Sequence, residues 1–182
     1  MNSTEKTIGV VPIGDIPEMV SSTVAAHMLG YLGVNADILP PLEEPEYAYD
    51  ESRLQYNAML ILKTLEQEFF SDYAKIIGIL DVDVFVPLFT HVFGEAKQGG
   101  GSALVSLHRL RKDHEGSTPP QALVLERTAK VALHETGHLF NLVHCTDEKC
   151  LMHFSGVLLD LDRTPLYFCR YCSTYFRDVL KR

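Results

Sequence analysis

The 182-residue chain has no tryptophan and only four cysteines, all at or beyond Cys145. That placement excludes a disulfide framework spread through the fold. A chain of this length buries roughly 70% of its unfolded surface and needs no such staples. No apolar run approaches the ~18 residues that a membrane span requires, so no membrane association is expected. Positive charge is scarce too: 16 Lys and Arg stand against 24 Asp and Glu, a net charge of −8. An acidic chain argues against nucleic acid as a partner, because phosphate binding needs a basic surface. Met1 to Thr7 lack the basic segment and apolar core of a secretory signal. The expectation is a soluble, cytoplasmic, monomeric protein. In a reducing compartment, clustered cysteines point to metal before disulfide.

What is present alternates strand with helix. Ile8–Ile13 reads as a first strand, and Asp15-Ile16-Pro17 as a helix start running to about Gly30. Ala36–Leu39 is a second strand. Asp50 to about Phe70 carries apolar residues at helical spacing and predicts a second helix. The branched run Lys75–Leu80 predicts a buried strand. Thr90–Ala96 and Ser102–Leu107 flank Gly99-Gly100-Gly101 and suit antiparallel neighbours. A long helix over Gln121–Asn141 precedes the cysteine-bearing tail. Helices between strands imply an α/β protein with a mostly parallel, twisted sheet.

The most specific pattern lies in that long helix, at His134-Glu135-Thr136-Gly137-His138. Histidines four apart share a helix face, so both imidazoles reach one metal ion. Glu135 points beside the metal, outside its ligand shell, and is suited to take a proton from water. A hydrolytic zinc needs three protein ligands and an open fourth position. His144 is the third candidate ligand. Reaching it requires a sharp turn after the helix, and Asn141 tolerates the left-handed backbone that ends a helix there. The pattern is His-Glu-x-x-His-x-x-Asn-x-x-His.

Cys145 and Cys150 form one short-spaced pair, and Cys169 and Cys172 another. Two thiolate pairs separated by a loop match a closed, structural zinc site. Redox-active or unliganded thiols and an iron–sulfur cluster are the alternatives that the spacing leaves open.

These residues, His134 to His144 together with Cys145, Cys150, Met152, Cys169 and Cys172, resemble the archaemetzincins, a family of metzincin zinc metalloproteases. The resemblance extends to Phe93-Gly94-Glu95-Ala96, to Ser106–Leu110 and to Arg53–Asn57, and so covers essentially the whole chain. It implies a metzincin-like zincin fold: a twisted, mostly parallel five-stranded sheet with one antiparallel edge strand near Val92–Ala96, and helices packed on it. It further implies one catalytic domain, with an upper part over 1–144 and a small zinc-stapled lower part over 145–182. Met152 would be the methionine of the turn beneath the zinc. The family has glycine where this chain has Asn141.

The function expected is zinc-dependent hydrolysis of peptides or small proteins. Two zinc ions are implied, a catalytic one on His134, His138 and His144 and a structural one on the four cysteines, with Glu135 as general base. The resemblance makes aminopeptidase-like activity plausible. Glu95 is a candidate to recognise a substrate amine on position alone, although a solvated strand-edge role accounts for it better. The alternative is a zinc-binding peptide-recognition protein with weak or absent catalysis. A redox protein built on Cys169-x-x-Cys172 lacks the surrounding strand–helix pattern.

Overall fold

The computed structural model describes residues 7–69, 73–113 and 115–181. The predicted helix end at Phe70 and the N-terminal residues 1–6 lie outside the described residues. Five strands form the central sheet: β1 (Ile8–Ile13), β2 (Ala36–Ile38), β5 (Lys75–Leu80), β7 (Gly94–Ala96) and β8 (Ser102–Ser106). Their order is β2-β1-β5-β8-β7. All neighbours are parallel except β7, which pairs antiparallel with β8, Glu95 opposite Leu104. β1 and β8 are buried throughout, and β5 beyond its first residue. Helices cover both faces of the sheet, so these strands read as continuous apolar runs and not as alternating ones.

Alternation shows in which core each residue joins. Val10, Ile77, Ile79, Ala103 and Val105 pack with α1 (Glu18–His27) and α3 (Gln121–Leu139). Val11, Ile76, Leu80 and Leu104 pack on the other face with α2 (Ala58–Phe69). The first helix continues into a π-helical turn at Met28–Leu32 and ends at Gly33, whose φ of 66° glycine adopts without a Cβ penalty. No helix among the described residues is long and apolar enough to cross a membrane.

One expected element starts later than its periodicity suggests. Residues 50–57 are not helical. β3 (Tyr49–Asp50), β4 (Gln55–Asn57) and β6 (Val84–Phe85) form a small second sheet. The cause is local side-chain competition for the backbone. Asp50 Oδ1 accepts the Ser52 and Arg53 N–H groups at 2.9 and 3.2 Å and closes a turn. Leu54 then sits at φ 53°, which a helix forbids. Asn57 Oδ1 accepts the Met59 N–H at 3.0 Å, and the helix begins at Ala58.

The tail forms α4 (Leu158–Arg163) and α5 (Arg170–Leu180). Arg127 of α3, 1% exposed, ties α4 to the rest of the fold. It makes a two-pronged pair with Asp162 at 2.7 Å and donates to the carbonyls of Leu110 and Lys112 at 2.9 and 2.7 Å. A buried guanidinium is stable only with its donors satisfied in this way. A second charged cluster holds the chain leading into β7. Asp83 accepts two bonds from Arg109 at 2.7 Å and one from Gln55 Nε2 at 3.0 Å, and Gln55 also donates to Thr90 O at 2.8 Å.

Candidate active site

The two histidines of α3 point the same way because they lie one helical turn apart. The helix then ends abruptly. Leu142 N–H bonds back to Gly137 O at 2.9 Å and Asn141 N–H to His138 O at 3.0 Å, with Asn141 left-handed at φ 68°. This is the Schellman ending, which releases a chain from a helix in a reversed direction. The reversal brings His144 back beside the other two. His138 Nε2 lies 3.1 Å from His134 Nε2 and 3.3 Å from His144 Nε2.

Those spacings fit a metal. Two nitrogens on one tetrahedral zinc, each about 2.0–2.1 Å from it, stand about 3.3–3.4 Å apart. Tautomers agree. His134 donates from Nδ1 to Leu151 O at 2.7 Å, and His138 from Nδ1 to Leu142 O at 2.8 Å. Both Nε2 atoms therefore offer lone pairs, and lone pairs facing one another at this distance repel unless a cation lies among them. Burial keeps the rings neutral: it lowers His134 to about 3, helped by the charge of His138, and also lowers His138 and His144. Neutral imidazole is the form that ligates.

Glu135 lies beneath β7 and is 7% exposed. Burial, and next the negative charge of Glu95, raise its carboxyl well above the ordinary range. Its carboxylate has room only because residue 94 is glycine. A Cβ there would come within 2.8 Å of Glu135 Oε1 and 2.7 Å of Val131 Cγ1. Gly94 thus faces α3. The strand pleat turns Glu95 the opposite way, onto the side of Leu104 and α2. Glu95 is half-buried, with burial raising its carboxyl, and it still borders the cleft over the histidines.

Beneath the histidines, Met152 is fully buried and its Sδ lies against Gly137, where a Cβ would collide with it. The methionine packs under the centre and is not a ligand candidate. His153 is turned away, with its Nδ1 3.1 Å from Cys145 O.

The cysteines form a second group directly adjoining the first, since Cys145 follows His144. The four Sγ atoms all lie within 4.8 Å of one another, with Cys145 and Cys169 at 3.9 Å. Sulfurs at about 2.3 Å from a tetrahedral zinc would be about 3.8 Å apart. Burial pushes the Cys150 thiol up to about 11, so it becomes a ligating thiolate only with a cation beside it. Compensation by a cation suits four converging sulfurs better than either the redox or the unliganded reading.

A cleft of about 580 Å³ runs over the three histidines and Glu135. Its walls are largely apolar, with Phe89, Val92, Val131, Val143, Leu151 and Phe154 among them. Phe89 and Phe154 approach across it at 6.3 Å. Neither aromatic carried a sequence signal, since only tertiary packing brings residues 65 positions apart together. Lys130, the only lysine on the wall among the described residues, is occupied by Glu126 at 2.7 Å and by the carbonyls of Leu161 and Asp162 at 3.2 Å.

Comparison with known proteins agrees with this geometry. Residues 31–178 match the model of peptidase family M54. The chain belongs to that family. It is 36% identical over 180 residues to the archaemetzincin of Pyrococcus furiosus, covering 95% of this chain and 93% of that one. It is 38% identical over 172 residues to that of Methanopyrus kandleri, covering 93% and 94%. The crystal structure of the Methanopyrus kandleri archaemetzincin superposes with a TM-score of 0.87 at 34% identity, covering 100% of this chain and 99% of that one. A zinc-dependent peptidase from Methanocorpusculum labreanum gives 0.84 at 28% identity, covering 93% and 99%. As a member of the M54 family the chain is a zinc metallopeptidase, and its substrates are peptides. The expected five-stranded sheet with one antiparallel edge is present as well.

Proposed function

We propose that this chain hydrolyses peptide bonds, with His134, His138 and His144 holding a catalytic zinc ion and Glu135 acting as general base. The convergence of three Nε2 lone pairs beside a buried carboxylate, under an exposed strand edge, carries this reading. When bound, zinc supplies Lewis acidity, polarising the scissile carbonyl and bringing water within reach of a carboxylate base. Glu135 takes the proton of the attacking water and returns it to the leaving amine. Burial suits it to both duties, since a carboxyl raised toward neutrality is a stronger base and remains a usable acid.

Strand β7 supplies the substrate track. In its antiparallel pairing, Phe93 and Lys97 use their backbone groups on β8, through Ser106 N–H to Phe93 O and Lys97 N–H to Ser102 O. By the alternation of the ladder, Gly94 and Ala96 turn theirs outward, where an extended peptide adds as a further strand. Beyond Ala96 the track ends. The turn over residues 97–101 folds onto the end of α3, with Gly99 N–H on His138 O at 2.9 Å. A blocked track supports cleavage near a peptide terminus, and the aminopeptidase-like reading rests on it. That reading does not rest on Glu95, which borders the cleft but whose register opposite Leu104 sets it on the other side of the strand from Glu135.

The four cysteines hold a second, structural zinc that staples residues 145–182 beneath the cleft, while residues 1–144 carry the sheet and α3, all within one catalytic domain. Metal analysis of untagged protein should then find two zinc equivalents per chain.

The test is Glu135→Gln. Zinc content and fold should stay as in wild type, and peptide hydrolysis should fall by about 10²–10⁴. Full activity in that variant would remove Glu135 from the mechanism. Comparing one peptide with a free and an acetylated N-terminus tests the terminal preference, which equal rates would exclude.

A further inference from the structure

We propose that Gln98 is a positioning residue for the metal ligand His138, acting through the backbone carbonyl of Leu142; this rests on the reading that His138 holds zinc. Leu142 O accepts two hydrogen bonds, from His138 Nδ1 at 2.8 Å and from Gln98 Nε2 at 3.0 Å. The first bond sets the tautomer and the ring angle of His138, so whatever fixes the carbonyl also fixes the ligand.

The other helix ligand does not need such help. His134 bonds to Leu151 O, and Leu151 is buried, with its own N–H on Tyr167 O at 2.9 Å. Leu142 is buried as well, with its own N–H on Gly137 O at 2.9 Å, but it stands between the left-handed Asn141 and Val143, which is 70% exposed. No helix or strand orients its carbonyl, since α3 has ended at Leu139. Gln98 adds a side-chain restraint on that carbonyl.

Gln98 is itself held in register. Its neighbour Gly99 donates to His138 O at 2.9 Å and lies against the side chain of Asn141. Gly99 is left-handed at φ 63°, and a Cβ on it would strike Asn141 Oδ1. The turn between β7 and β8 therefore docks on the stretch His138–Leu142 through Gln98 and Gly99 together. The carbonyl that orients His138 thus takes a second bond, from a surface glutamine of the β7–β8 turn.

The test uses zinc affinity and the cobalt(II) spectrum, neither of which requires turnover. Gln98→Met keeps the length and removes the donor; Gln98→Lys restores a donor; Lys97→Met cuts the neighbouring Lys97–Glu66 ion pair of 3.1 Å in the same turn. Gln98→Met should bind zinc at the histidine site about 10-fold more weakly, at the lower end of what removing a partner of a ligand costs. Its ligand-field bands should shift, while the thiolate charge-transfer bands of the cysteine site stay as in wild type. Gln98→Lys should recover most of the affinity, and Lys97→Met should match wild type. Wild-type affinity and bands in Gln98→Met would overturn the proposal. Equal weakening in Lys97→Met would overturn it too, by showing that any loosening of the turn has the same effect. Absence of metal at the histidines of the wild-type protein would instead refute the metal assignment, and the positioning role with it.

Discussion

Gly94→Ala probes the centre without replacing a ligand or the base. The added Cβ would stand 2.7 Å from Val131 Cγ1, 2.8 Å from Glu135 Oε1 and 2.8 Å from Leu104 O, where ordinary contact begins at 3.4 Å. Val131 is β-branched on a helix and keeps one rotamer, so it yields little. Leu104 O belongs to the buried strand β8. The Glu135 carboxylate, or β7 itself, must then move by 3.4 − 2.8, about 0.6 Å. Misplacing a catalytic group by about 1 Å can cost about 10²-fold, so a loss of roughly 10-fold or more is expected. Overpacking should also lower stability by about 1–3 kcal/mol. The assay is kcat and KM on one short peptide, with zinc content and denaturant unfolding measured on the same preparation. A displaced carboxylate lowers kcat, whereas a displaced strand raises KM. Zinc should be retained in both cases, because no histidine moves. Wild-type kcat and KM in a folded, zinc-loaded variant would refute the claim that the glycine makes room for the base.

Acidification should destabilise the metal-free protein. His134 is depressed to about 3 in the fold, while an unfolded histidine titrates near 6.5, so the unfolded chain takes up a proton that the fold refuses. Stability is lost as pH falls below about 6.5, by about 1.4 kcal/mol at about pH 5.5 for this residue, and unfolding of chelator-treated protein at two pH values measures it. His134→Gln should flatten that dependence; an unchanged slope would contradict the assignment. Asp162→Ala strands the buried Arg127 guanidinium and should cost about 3–5 kcal/mol in denaturant unfolding, far more than loss of a surface pair. Asn141→Ala should lower stability by about 1–2 kcal/mol because its φ of 68° disfavours a Cβ without a local polar group, whereas Asn141→Gly should come within about 1 kcal/mol of wild type by the same measurement.

The sequence by itself determined what depends on near neighbours in the chain. His134, His138 and Glu135 follow from helical periodicity, and His144 from a helix ending that Asn141 permits within the same short stretch. The cysteine pairs were legible from their spacing, and β1 and β5 from runs of branched residues that only a sheet covered on both faces can bury. Local competition already exceeded what periodicity reveals. The apolar spacing after Asp50 was helical, yet an Asp side chain bonding two backbone amides held residues 50–57 out of the helix. Tertiary structure alone decided the rest. Whether Glu135 has room depends on residue 94, some 40 positions earlier, and the carbonyl that His138 bonds to also takes a bond from Gln98, more than 40 positions away. Glu95 was set on the α2 side of β7 by its register opposite Leu104, and a shift of one residue would have set it on the side of Glu135. Arg127 could be recognised as a buried anchor only once Asp162 was beside it. Periodicity records which face of an element a residue occupies; what stands opposite that face is set by contacts between distant segments, which no local pattern contains.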